Sequence, residues 1–140
     1  MVAPAQAPSV RSIRPLTILA VDDDAMVLMT MVAMLEDLGH TVFEAYSGHE
    51  ALEILRREDS IDLVITDQAM PKMAGTELAG VIKDEWPDIP VLLATGYGDM
   101  VRGDDFGLPK LTKPYLQRNL ANAIAEMNPP RRKPRAGVSR

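Results

Sequence analysis

The stretch Ile61-Asp62-Leu63-Val64-Ile65-Thr66-Asp67-Gln68-Ala69-Met70-Pro71-Lys72-Met73-Ala74-Gly75 decides the fold. A short, largely apolar, β-branched run that stops at a carboxylate and then turns reads as a buried strand with Asp67 at its C-terminal rim. One Asp is a common turn residue and says little alone. Three more strand-like runs end the same way: residues 16–21 lead into Asp22-Asp23-Asp24, residues 91–94 into Thr95, and residues 108–112 into Lys113-Pro114. Four strands that deliver carboxylates, a hydroxyl and an ammonium to one edge describe a site.

Helical periodicities fill the gaps. Residues 25–38 put Val27, Met31, Met34, Leu35 and Leu38 on one face, and Gly39 suits the left-handed position past the helix end. A second strand covers 41–46. Ser47 with Glu50 three residues on is a capping-box pattern. It opens a helix carrying Ala51, Leu52, Ile54 and Leu55 that fades near Asp59. A third helix spans 76–86 and stops before Pro87. The last covers 115–127, with Leu116, Leu120, Ala123, Ile124 and Met127 aligned, and Pro129-Pro130 ends it. A fourth helix has only 96–107, where Gly96, Gly98, Gly103 and Gly107 fall. Each interior Gly costs a helix about 1 kcal/mol against Ala, so this element is expected to be short or irregular. Repeated βα units with apolar strands predict an α/β fold, a parallel sheet with helices on both faces. Ligands of such sheets bind beyond the carboxyl ends of the strands, where strand order reverses.

With 140 residues the chain suits one domain, 46% hydrophobic and 25% charged. The absence of cysteine excludes disulfides and thiolate metal sites. No apolar run approaches the ~18 residues that cross a bilayer, and residues 1–8 lack the apolar core of a secretory signal. A cytoplasmic protein with no membrane contact is expected. All 20 acidic side chains fall in 15–128, while Arg11, Arg14, Arg131, Arg132, Lys133, Arg135 and Arg140 lie at the ends. The acidic body argues against a nucleic-acid partner. The chain therefore divides into a flexible N-terminal segment (1–14), a folded body (15–128) and a basic disordered tail (129–140). His40 and His49 read as surface histidines, and Asp24 as the N-cap of the first helix.

Four motifs, in order and each at a strand end, resemble the receiver domain of two-component response regulators. They are Ile18-Leu19-Ala20-Val21-Asp22-Asp23-Asp24, Val64-Ile65-Thr66-Asp67 with Met70-Pro71-x-Met73-x-Gly75, Leu93-Ala94-Thr95-Gly96, and Leu111-Thr112-Lys113-Pro114. The resemblance implies a flavodoxin-like (βα)5 doubly wound sheet of order 2-1-3-4-5. It implies that Asp67 takes a phosphoryl group from a histidine kinase or histidine phosphotransfer protein. It further implies Mg2+ (or Mn2+) held by Asp23, Asp67 and the backbone carbonyl of Ala69, with Asp22 acting mainly through a bound water. Lys113 and Thr95 would contact the phosphoryl group, and a cis bond before Pro114 is common in the family. A downstream protein target would read the changed conformation, with no output domain after Met127, and the chain would be a signalling domain rather than an enzyme.

The residues fit that chemistry. Phosphoryl transfer needs a nucleophile in line and compensation for charge on the transferring oxygens. Crowded carboxylates call for a cation, and Mg2+ is a hard ion held by one or two carboxylates plus water. Three positions depart from the family pattern. Lys110 stands where an aromatic switch residue is usual, and Tyr97, two after Thr95, is the candidate replacement. The fourth helix is truncated. Ala69 replaces a side chain that is often polar, which suggests a long-lived aspartyl phosphate. Two other readings compete: a pseudo-receiver adaptor that works without phosphorylation, and an aspartate-nucleophile phosphohydrolase. The second would use Asp22, but Asp22-Asp23-Asp24-Ala25-Met26 misses the last position of its Asp-x-Asp-x-Thr/Val motif.

Overall fold

The computed structural model describes residues 14–96, 107–127 and 129. The elements run β1 (Thr17–Val21), α1 (Ala25–Asp37), β2 (Thr41–Ala45), α2 (Gly48–Arg57), β3 (Leu63–Asp67), α3 (Gly75–Glu85), β4 (Val91–Thr95), β5 (Lys110–Thr112) and α4 (Gln117–Met127). All strand pairs are parallel, in the order β2-β1-β3-β4-β5. The expected fourth helix and Tyr97 lie outside the described residues. So do the N-terminal segment and the basic tail, apart from Arg14 and Pro129, where an Arg14 Nη2 donates to the Pro129 carbonyl. Among the described residues no helix is long and apolar enough to cross a membrane.

Alternation along the strands builds two cores. Leu19, Val21 and Val64 face one side with Ala51, Leu52, Ile54 and Leu55 of α2 and Leu78, Ala79 and Ile82 of α3. Ile18, Ala20, Leu63 and Ile65 face the other with α1 and with Leu120 and Ile124 of α4. The caps follow the local sequence. Asp24 Oδ1 accepts from Met26 N and Val27 N. Ser47 Oγ accepts from Glu50 N, and Glu50 reaches back to Tyr46 N. At the end of α1, Gly39 N–H meets Glu36 O and His40 N–H meets Leu35 O, with Gly39 at φ +102°. That is a Schellman ending, which favours a residue without a Cβ.

Three expectations need correction. The last helix begins at Gln117, and Leu116, expected on its core face, lies before it and is exposed. The buried stripe of α1 is Leu28, Met31, Val32 and Leu35, while Val27, Met34 and Leu38 are only half-buried. Helix α1 is apolar nearly all round, so periodicity alone does not choose the face. His40 is not a surface residue. It is buried, and its Nδ1 accepts from Leu16 N–H at 3.0 Å. His49 is exposed.

Candidate functional site

Strand register gathers the site. Val21 pairs with Thr66, so Asp22 lies level with Asp67 one step on, where strand order reverses between β1 and β3. Asp67 pairs with Ala94, and Thr95 with Thr112, which carries Lys113 to the same edge. Carboxylate oxygens of Asp22, Asp23 and Asp67 lie within 4.8 Å of one another. Lys113 Nζ stands 2.6 Å from Asp67 Oδ1 and 3.5 Å from Asp22 Oδ2. Its backbone N–H donates to Thr95 O at 2.7 Å. The Lys113–Pro114 bond is cis.

Asp22 and Asp67 are buried, Thr95 is buried beside them, and Asp23 is exposed. Burial raises the pKa of Asp67, opposed by its hydrogen bond to Lys113 and reinforced by the charges of Asp22 and Asp23. Burial also raises Asp22, opposed by the Asp24 N–H and Lys113. For Lys113 burial works against the charge, yet its bonds to Asp67 and Asp22 outweigh it and the pKa is raised. Among the described residues the site is an acid cluster, three carboxylates against the Lys113 ammonium.

At the other end of the sheet His40 Nδ1 accepts from Leu16 N–H and Asp62 Oδ2 from Thr17 N–H at 2.8 Å, while Arg14 Nε is buried there with no hydrogen-bond partner among the described residues. Asp22 Oδ1 accepts from Asp24 N at 2.9 Å, while Asp22 Oδ2 is buried with no hydrogen bond from the described residues, its partner being the Lys113 ammonium at 3.5 Å. A buried oxygen left without a hydrogen bond costs about 1–3 kcal/mol. Next to two further carboxylates, it fits a hydrated divalent cation, hard and oxygen-seeking. Ala69 sits in the loop after Asp67, and no described residue donates a hydrogen bond to its carbonyl.

The structure thus brings Asp22, Asp23, Asp67 and Lys113 into one cluster, with Thr95 joined to Lys113 through the backbone. Two residues escaped the sequence reading. Tyr115, half-buried, has its pKa raised by burial first and then adjusted by Lys113, Asp22 and Asp67, so it borders the site. Its position two after Lys113 was a usable signal. Gln68 fastens the loop after Asp67 onto α3, and nothing local in sequence announces a bond eight residues long.

Known proteins resemble this chain in sequence and in fold. Residues 18–125 match the family model described as the response regulator receiver domain. The chain is 36% identical over 118 residues to the sensor kinase CckA of Brucella abortus, covering 79% of this chain and 12% of that protein. It is 33% identical to the response regulator receiver protein CpdR of the same organism, covering 79% of this chain and 94% of that one. Several of the relatives it matches are much longer: the chain spans only 12% of the kinase and 26% of the transcriptional regulatory protein GlrR of Escherichia coli. Among solved structures, a receiver domain protein from Clostridium thermocellum superposes with a TM-score of 0.72 at 34% identity, over 79% of this chain and 92% of that chain. The response regulator TrrA of Thermotoga maritima, solved in complex with Mg(2+)-BeF, superposes with a TM-score of 0.73 at 26% identity, over 80% of this chain and 98% of its own.

Proposed function

The chain belongs to the response-regulator receiver family of two-component systems, and we propose that Asp67 is its phosphoacceptor. The donor would be a phosphohistidine on a histidine kinase or a histidine phosphotransfer protein. The observation that carries this reading is the Lys113 ammonium at 2.6 Å from Asp67, at a cluster that also holds Asp22 and Asp23. An Asp67 carboxylate oxygen forms the new O–P bond as the N–P bond of the donor breaks. The imidazole keeps the electron pair and takes up a proton. Mg2+, or Mn2+ in its place, would be held by Asp23, Asp67 and the Ala69 carbonyl, with Asp22 acting through water, and would neutralise charge on the transferring oxygens. Lys113 pairs with the incoming phosphoryl group, and Thr95 donates its hydroxyl to it.

The product is a conformational state. Moving an equilibrium from 1:99 to 99:1 takes about 5.5 kcal/mol. One hydrogen bond to a charged group supplies roughly 1.5–3 kcal/mol, so Thr95 and Lys113 act together. Tyr97 is the aromatic we assign to reading that movement for a downstream protein target. Four exposed large apolar side chains support docking of a donor at this edge. Met26 and Met29 occupy the first turns of α1, Tyr46 follows β2, and Leu116 lies three after Lys113. We place the reaction in the cytoplasm, with neither nucleic acid nor membrane as partner.

Incubation with a small phosphodonor and Mg2+, followed by intact mass, tests the reading. One phosphoryl group should be gained, removed by hydroxylamine, and absent from Asp67→Asn. Labelling at Asp22 would favour the phosphohydrolase reading. No gain in the parent chain, with partner binding kept in Asp67→Asn, would favour the adaptor.

A further inference from the structure

Gln68, next after Asp67, makes an unusual set of hydrogen bonds. Its N–H donates to Ala94 O at 3.0 Å, and its carbonyl accepts from Met70 N at 3.1 Å and Gly75 N at 3.0 Å. Its Oε1 accepts from Thr76 N at 2.8 Å, and its Nε2 reaches Thr76 Oγ1 at 3.4 Å. The N-cap of α3 is Ala74, whose side chain has nothing to offer the free N–H groups of the first turn. Gln68 supplies that acceptor from eight residues away, as a Ser or Asp at the cap would have done. Ala69 lies inside the ring so closed. The ring is seated on the strand end, since a Cβ on Gly75 would stand 2.4 Å from Asp67 O and 3.0 Å from Gln68 Cα.

We propose that Gln68 is a positioning residue: its amide, clasped on Thr76, holds the 68–75 loop closed and so keeps the Ala69 carbonyl placed as a magnesium ligand. This rests on reading Asp23, Asp67 and Ala69 as the cation's protein ligands. Mg2+ demands a near-ideal octahedron and tolerates little displacement of a donor atom. A carbonyl on an unfastened loop would have to be ordered as the ion binds, and that ordering subtracts from affinity. Side chains that hold ligands in place typically govern metal affinity by 10–100-fold.

Three proteins test it: the parent chain, Gln68→Met, and Gln68→Met with Ala74→Ser. Met keeps the length of Gln without its hydrogen bonds, and Ser at 74 gives α3 a local cap. Mg2+ affinity is measured by titration calorimetry and stability by thermal unfolding without Mg2+. Gln68→Met should bind Mg2+ roughly tenfold more weakly. Ala74→Ser should return the melting temperature towards the parent value and leave the affinity low. Equal affinity in Gln68→Met and the parent overturns the proposal alone, as does recovery of affinity with the cap, which would make Gln68 only a helix stabiliser. A parent chain that binds no Mg2+ overturns the metal-site reading and this proposal with it.

Discussion

At the scale of single residues, two backbone and side-chain placements carry measurable consequences. Lys72, in the loop after Asp67, holds φ at +70°, a left-handed conformation that costs a side-chain-bearing residue about 1–2 kcal/mol. Glycine adopts it freely but loses more freedom on folding, about 0.5–1 kcal/mol. Lys72→Gly should therefore stabilise the fold by at most about 1.5 kcal/mol in urea unfolding, and a clear loss would mean that the lysine side chain contributes contacts of its own. His40 works through protonation. Burial lowers its pKa below 6.5, and its Nδ1 must stay unprotonated to accept from Leu16 N–H. The folded state resists a proton that the unfolded chain takes up below pH 6.5. The stability from His40 is thus complete above that pH and is lost as pH falls through the lowered pKa. His40→Leu should cost about 1–3 kcal/mol at neutral pH, by orphaning the buried Leu16 N–H. It should also remove this part of the decline on acidification, read as the difference in slope between variant and parent. Equal slopes would discount His40 as the source. Its burial was not legible because it depends on the start of β1, 24 residues away.

At the scale of elements, the β3–α3 connection and the β2–α2 connection each begin a helix with glycine, and they differ in what presses on it. A Cβ on Gly48 would meet Met73 along its side chain, Sδ most closely, then Cγ at 3.0 Å and Cβ at 3.1 Å. On Gly75 it would meet the carbonyl of Asp67 itself, with Leu93 and the Gln68 backbone close behind. Gly48→Ala should cost less than Gly75→Ala, since Met73 Sδ and Cγ can turn aside and only its Cβ must be accommodated. Gly75→Ala should cost about 2 kcal/mol or more, as overpacking against backbone does, and should slow phosphorylation of Asp67 because the strand end must move. Equal stability losses from the two substitutions in parallel urea titrations would contradict this difference. The elements themselves were legible wherever the signal was local: strand ends at Asp22, Asp67 and Thr95, caps at Asp24 and Ser47, and the stop at Gly39. The rotation of α1 was not, because Met26, Val27, Leu28, Met29, Met31 and Val32 are all apolar and the sheet chooses among them.

At the scale of the whole molecule, buried His40 and Asp62 have hydrogen-bond partners at one pole of the sheet, and the other pole is short of positive charge. The convergence at the second pole was legible, because a parallel sheet sends every strand's C-terminal residue to one edge. The electrostatics were legible only as a direction. Among the described residues Lys113 is the one cation within reach of Asp22 and Asp67, and burial raises the pKa of both acids despite it. For an acid whose folded pKa lies above its unfolded value of 3.8, the stabilising contribution is complete below 3.8. It is lost as pH rises through the raised value. A divalent cation that binds the folded chain and not the unfolded one reverses this loss, by about 2.7 kcal/mol when its concentration is 100 times its Kd. Protons compete with the cation for the same oxygens, so its increment must grow with pH over the interval in which the two acids ionise. Melting curves with and without Mg2+ should show a large increment at pH 7.5 and a small one at pH 4.5. Asp67→Asn should melt higher than the parent without Mg2+, since one buried charge is gone, and should lose most of the increment. An increment that stays constant with pH, or survives in Asp67→Asn, would place the cation away from Asp22 and Asp67.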